Sequence, residues 1–313
     1  MKKKVLALML TGVLTLSATA CGGKEKDVDT STSTNTTTRT EAQANTDDTA
    51  APTEQASEAQ PEVDPLEEAV KNMESVTNLE AQMVMDMDMV ISAQGQEQSV
   101  ESSTIMDMVC FNDPMKIKID MNMDMGAQGS ANMQIYAEPA EDGSYMIYQF
   151  DGQNWSANAV AESALADYDA RGSMMDFIGD TSVYTQEGTE QVDGTDAYKY
   201  SYTLTEEELK EQMLASGALD SVSQLGMDIN QEGMFDGLGD VTTYVWIDAE
   251  SYYPLKYEMD MTTAMDTMMK NMVEALGEQA QGMTMSVPQM KVVMTCSNFN
   301  SATDFTVPDE AKN

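Results

Sequence analysis

The stretch MVMDMDMV, residues 83–90, puts Met83, Met85, Met87 and Met89 on alternate positions, with Asp86 and Asp88 between the later ones. Met121, Met123 and Met125 repeat the spacing in MNMDM, and Met259 and Met261 repeat it in MDM. Met106 and Met108 share the parity of Cys110 in a fourth run. Two ligand chemistries fit these side chains. Thioethers are soft donors for Cu(I), and the interleaved carboxylates are hard donors for a divalent cation. A third reading involves no ligation. Residues at every second position share one face of a strand, so the methionines would form an apolar wall and the acids its wetted side.

The chain has no histidine, the commonest transition-metal ligand. Lys116, Lys118 and Lys256 fall on the same parity as the acids and offset part of their repulsion. The wall is therefore the favoured reading, and no metal site and no cofactor is assigned. Methionine is still an unusual choice, because Val and Ile are better strand formers. It is flexible and polarizable, and it suits a surface that repacks around varied guests. The eleven methionines named above are the candidate face for a lipid or other apolar ligand.

Other candidates are weaker. Asp228-Ile229-Asn230-Gln231-Glu232-Gly233 begins like a calcium loop, but the twelfth position, where a bidentate Glu is needed, is Gly239. Cys110 and Cys296 could be bridged in an exported protein, or could be small buried hydrophobes. Nucleophile-elbow, phosphate-loop and dinucleotide motifs are missing, so no catalytic residue is named and the expectation is a protein that is not an enzyme. With 54 acidic against 16 basic residues and a net charge of −38, the chain is a poor partner for nucleic acid or for an anionic membrane surface.

The first residues read as an address. Lys2, Lys3 and Lys4 precede an apolar run from Val5 to Leu16, too short to span a bilayer comfortably, and then small residues lead to Cys21. This resembles the bacterial lipoprotein signal, which implies cleavage after residue 20 and a lipid anchor at Cys21. The expected location is the extracytoplasmic face of the cell membrane, as in Gram-positive lipoproteins, with two acyl chains giving stable anchoring. Residues 22–61 contain no aromatic, Leu, Ile or Met. They read as a disordered tether of roughly 35 Å root-mean-square span.

The elements that must position the methionines lie in residues 62–313. Asp64-Pro65-Leu66-Glu67 is a helix start. Alternating runs at 80–91, 99–111, 115–125, 133–138, 145–150 and 153–157 read as a meander, with Asp142-Gly143 and Asp151-Gly152 as hairpin turns. A helix is expected over 159–178, interrupted near Arg171-Gly172. Strands at 181–187 and 197–204, a helix from Thr205, a hairpin of 241–248 with 255–262, a helix carrying Met265, Met268 and Met272, and a closing strand at 283–298 follow. The sum is an α+β fold with one antiparallel sheet of roughly eight to eleven strands, large enough to curl, and helices over one face.

Tyr244-Val245-Trp246-Ile247-Asp248 followed by Tyr253-Pro254-Leu255-Lys256, the Phe150-Asp151-Gly152-Gln153-Asn154-Trp155 turn, and the closing Phe305-Thr306-Val307-Pro308-Asp309-Glu310-Ala311 resemble bacterial lipoproteins of the LolA/LolB and LppX/LprG type. The resemblance implies a half-barrel whose concave face, covered by helices, can hold acyl chains. The alternatives are an envelope interaction or scaffold protein without a small ligand, and a Met-rich metal-binding protein.

Overall fold

The computed structural model describes residues 63–93, 95–168, 170–215, 231–280 and 282–312. The signal, Cys21 and the tether lie outside them, as do Asp228 to Asn230 of the calcium-like run.

Eleven strands form one antiparallel sheet. They are β1 (Asn78–Ala93), β2 (Gln96–Asn112), β3 (Met115–Asp124), β4 (Ser130–Pro139), β5 (Tyr145–Phe150), β6 (Trp155–Val160), β7 (Thr185–Val192), β8 (Thr195–Leu204), β9 (Val241–Asp248), β10 (Pro254–Asp260) and β11 (Met283–Ser297). From one edge to the other the order is β6-β5-β4-β3-β2-β1-β11-β10-β9-β8-β7. Two meanders are thus joined where the first strand pairs with the last. The sheet curves without closing into a barrel, and helices cover its concave face.

This order fixes where the cover lies. β6 and β7 are opposite edges, so residues 161–184 must carry the chain from one edge to the other. They do so over the inner face. A 3-10 segment at Glu162–Tyr168 is followed by α2 (Ala170–Ile178), whose Met174 and Ile178 are buried in the core. α1 (Pro65–Glu74) adds Leu66, Ala69 and Met73 to the same side. α3 (Glu206–Ala215), the single turn α4 (Gln231–Met234) and α5 (Thr262–Leu276) complete the cover among the described residues.

Local chemistry accounts for the boundaries. Asp64 caps α1, its Oδ1 accepting from the Leu66 N–H at 2.9 Å. Thr205 and Glu208 form a reciprocal capping box at the start of α3, with contacts of 3.1 and 3.4 Å. Asp151 accepts from the Gln153 and Asn154 N–H groups, and Asp248 from those of Glu250 and Ser251. The two aspartates of the family-like motifs therefore shape hairpin turns.

Two expectations are corrected. The helix expected from residue 159 starts later, because β6 continues to Val160 through pairing with β5, and α2 then runs through Arg171-Gly172 without a break. Pairing overrides the weak strand propensity of Ser156-Ala157-Asn158-Ala159. The strand expected from Thr181 begins at Thr185, since Asp180 caps a 3-10 turn by accepting from the Ser182 N–H at 3.0 Å. Of the calcium-like run, Gln231 to Gly233 lie in a short helical turn, Gln231–Met234.

The outer face is mainly polar, but it also carries an apolar row of Ile105, Val84 and Val293 and the aromatic pair Tyr244 and Trp246. Phe305, Val307 and Ala311 of the closing segment cover Tyr136, Tyr148 and Trp155 on β4 to β6, a small second core.

Candidate apolar binding face

Register brings the methionine runs together. Met83 on β1 is directly opposite Met106 on β2 and Met294 on β11. Met106 is opposite Met121 on β3, which is opposite Met133 on β4. Five methionines thus form one row across five adjacent strands, roughly 19 Å long at the usual strand spacing. On the far side the row continues through Tyr257, Val245 and Tyr200. Parallel to it run Met123, Thr104, Met85, Val292 and Met259 on one side, and Ile119, Met108, Ala81 and Cys296 on the other.

Exposure changes along the row. Met83 is 3% exposed, Met106 7% and Met133 38%, with Met121 half-buried between the last two. Met123 and Met125 are also half-buried, whereas Met85, Met87, Met89, Met108 and Met259 are buried. Among the described residues, the wall is covered over β1, β11 and β10 and opens toward β3 and β4. The cover is rich in methionine too, with Met265, Met268 and Met269 of α5 all buried in the same core. Thioether on thioether gives an adaptable contact of low rigidity.

Two expected members fall just outside the strands. Met125 follows β3, and its N–H donates to the Gly129 carbonyl at 2.9 Å. Met261 follows β10 and seats α5: its N–H donates to the Met290 carbonyl at 2.8 Å and its carbonyl accepts from the Met265 N–H at 2.9 Å. Two more methionines complete the row: Met133 is a lone methionine among other residue types, and Met294 shares the parity of Met290, Val292 and Cys296 without the strict Met-x-Met spacing. Matching positions across predicted neighbouring strands was the available signal.

The sulfur and aromatic groups next to the wall are deeply buried. Cys110 lies opposite Leu79 and Cys296 opposite Ala81, so β1 separates them. They are thiols without a disulfide. Strands two apart are about 9.6 Å from each other, too far for the Cα spacing of a bridge. Burial, and then proximity to Cys110, pushes the Cys296 thiol far up. Tyr257 is fully buried and meets the Phe177 ring edge-on at 5.0 Å. Its hydroxyl has no hydrogen-bond partner among the described residues. Burial raises the Tyr202 phenol to about 12, helped by its 2.9 Å hydrogen bond to Glu208.

The outer carboxylates are engaged with lysines and amides. Asp120 pairs with Lys118 at 2.7 Å and accepts from Gln134 at 2.8 Å. Glu258 lies between Lys256 and Lys291 at 2.7 and 2.8 Å. Burial pushes the Glu258 carboxyl up, but the two ammonium groups outweigh it and hold it below the usual range. Among the described residues, no three Asp, Glu or Cys side chains converge on a point that could hold a metal ion. A cleft of about 520 Å³ at the β1–β2 tip is lined by Ile91, Ala93, Gln96, Glu97 and Gln98. Its inward positions are Ile91 and Ala93 on β1 and Gln96 and Gln98 on β2, so the apolar wall gives way to amides at this end.

Fold and face together define a half-barrel α+β protein with an apolar, methionine-rich concave surface. The chain belongs to a family of unknown function, DUF6612, whose model matches residues 63–313. Among curated proteins no sequence matches it. Solved structures that match include lipoprotein LppX of Mycobacterium tuberculosis, at 11% identity and TM-score 0.36, covering 77% of this chain and 95% of that one. LprF of Mycobacterium bovis matches at 14% identity and TM-score 0.37, covering 79% and 95%. A LolA superfamily protein of Nitrosomonas europaea matches at 13% identity and TM-score 0.18, covering 78% and 94%. These include the LppX and LolA groups that the sequence resembles.

Proposed function

We propose that this protein is a membrane-anchored extracytoplasmic lipoprotein that binds a lipid or another apolar ligand without catalysis. The anchor is the lipid on Cys21 and the tether is residues 22–61. The ligand lies on the methionine wall and enters at its open end beside Met121, Met123 and Met133.

The observation that carries this reading is the exposure gradient along one register-matched row. Here the same apolar surface runs from Met83, which is buried, to Met133, which is exposed. Leaving it wet costs free energy in proportion to area, and an apolar guest recovers that cost. Methionine rather than Val or Ile lets the inner part repack as the guest advances.

Native mass spectrometry of the gently purified full chain tests the reading. The expected result is a co-purifying apolar molecule that is lost in M121D and M133D variants retaining the native fold. A chain that carries no such molecule and takes up none from lipid vesicles would overturn it, and would favour the scaffold reading instead.

A further inference from the structure

We propose that Met121, Met123 and Met133, with Met106 as the floor, form a thioether site for a soft monovalent cation of the Cu(I) class. The proposal goes beyond the apolar-ligand reading and does not depend on it.

The first ground is placement. Met121 is directly opposite both Met106 and Met133, so the three side chains share one face on adjacent strands. Directly opposite residues hold their Cβ atoms about 4.5–5.5 Å apart. A methionine side chain has three rotatable bonds, enough for neighbouring sulfurs to converge on one ion. Met123 is two residues further along the same face, and its neighbour on β4 is Ala131. That small side chain leaves Met123 room to turn toward Met121 and Met133.

The second ground is access. Of the methionines in this row, Met133 is exposed and Met121 half-buried, while Met83 and Met294 are under cover. A hydrated ion can therefore reach this group without opening the core.

The third ground is selectivity. Asp120, Asn122 and Asp124 alternate with Met121 and Met123 and so point to the opposite face. The site offers sulfur and no carboxylate, which suits a soft d10 cation and disfavours magnesium or calcium. Thioethers carry no proton to displace, so binding is independent of pH in the neutral range. A net charge of −38 raises the local concentration of any cation.

The test uses Ag(I), a d10 probe with no accessible redox step, titrated into the full chain carrying 13C-methyl methionine. Methyl resonances are assigned through single Met→Leu variants. At one equivalent, the expected shifts fall together on Met121, Met123 and Met133. The M121L/M123L/M133L variant keeps the apolar surface and loses the sulfur, and its affinity at this site should fall by about tenfold or more. The exposed single variant M133L serves if the triple variant does not fold, with a smaller loss in the same direction. Shifts confined to other methionines, no methyl shift because the thiols take all the metal, or an affinity unchanged by these substitutions would each overturn the proposal.

Discussion

The thiol of Cys296 on β11 lies 3.7 Å from the thioether sulfur of Met174 on α2. This contact pins the edge-to-edge crossing segment against the middle of the sheet. Met174 is fully buried, so M174A should cost about 2–5 kcal/mol in urea unfolding, with the larger values where the site cannot collapse. Both core thiols should react with a thiol reagent only after unfolding, and fast labelling of Cys296 in the native protein would contradict its burial.

Tyr257 offers a prediction of the opposite sign. A buried hydroxyl without a partner carries a desolvation penalty of about 1–3 kcal/mol. Y257F removes the hydroxyl and keeps the ring against Phe177. The variant should be as stable as the parent or more stable by up to about 1 kcal/mol. A clear loss of stability in the same urea assay would show that the hydroxyl has a partner.

Oxidation should follow the exposure gradient. Hydrogen peroxide converts an accessible thioether to the sulfoxide and is itself reduced to water. In a time course read by peptide mapping, Met133 should be modified first, then Met121, Met123 and Met125. Met83, Met85 and Met87 should resist until the fold opens. Uniform modification from the start would mean that the cover over β1 is not closed in solution.

The pH dependence of stability contains a term from Glu258. Its folded-state value is depressed, so its contribution is present above the unfolded-state value and is lost as pH falls through the folded one. Protonation of the many other acids also relieves self-repulsion, so the total curve mixes opposing trends. The difference between the parent and E258Q isolates the term. That difference in Tm should be largest above about pH 5 and should shrink toward pH 3. A difference that stays constant over this range would contradict the pairing with Lys256 and Lys291.

Much of the sheet was legible because its signals are local. The alternation of Met83, Met85, Met87 and Met89 marks one strand face without any partner, and Asp142-Gly143 or Asp151-Gly152 marks a hairpin turn. β6 and β7 were placed less well. Trp155 to Val160 carries little strand propensity and is held by pairing with β5, a property of the neighbour. The Met133–Met121–Met106–Met83–Met294 row was hidden for a related reason. Each strand reveals its own parity, but only the register between strands says which residue meets which. The partial exposure of Met121 depends on where the helices stop, which no single run of sequence encodes.

The pairing of β1 with β11 also has a consequence in time. Its register joins Glu80 to Ser297 and Met83 to Met294. While the chain is being made, β1 can pair with β2 soon after both emerge, but its other edge stays open until some two hundred residues later. A long strand edge with an apolar face is a template for intermolecular pairing. Formation of the complete sheet is therefore a late, high-contact-order step. Asp86 and Asp88, on the wetted side of that waiting strand, place like charges where two such edges would meet and so act as gatekeepers during the delay.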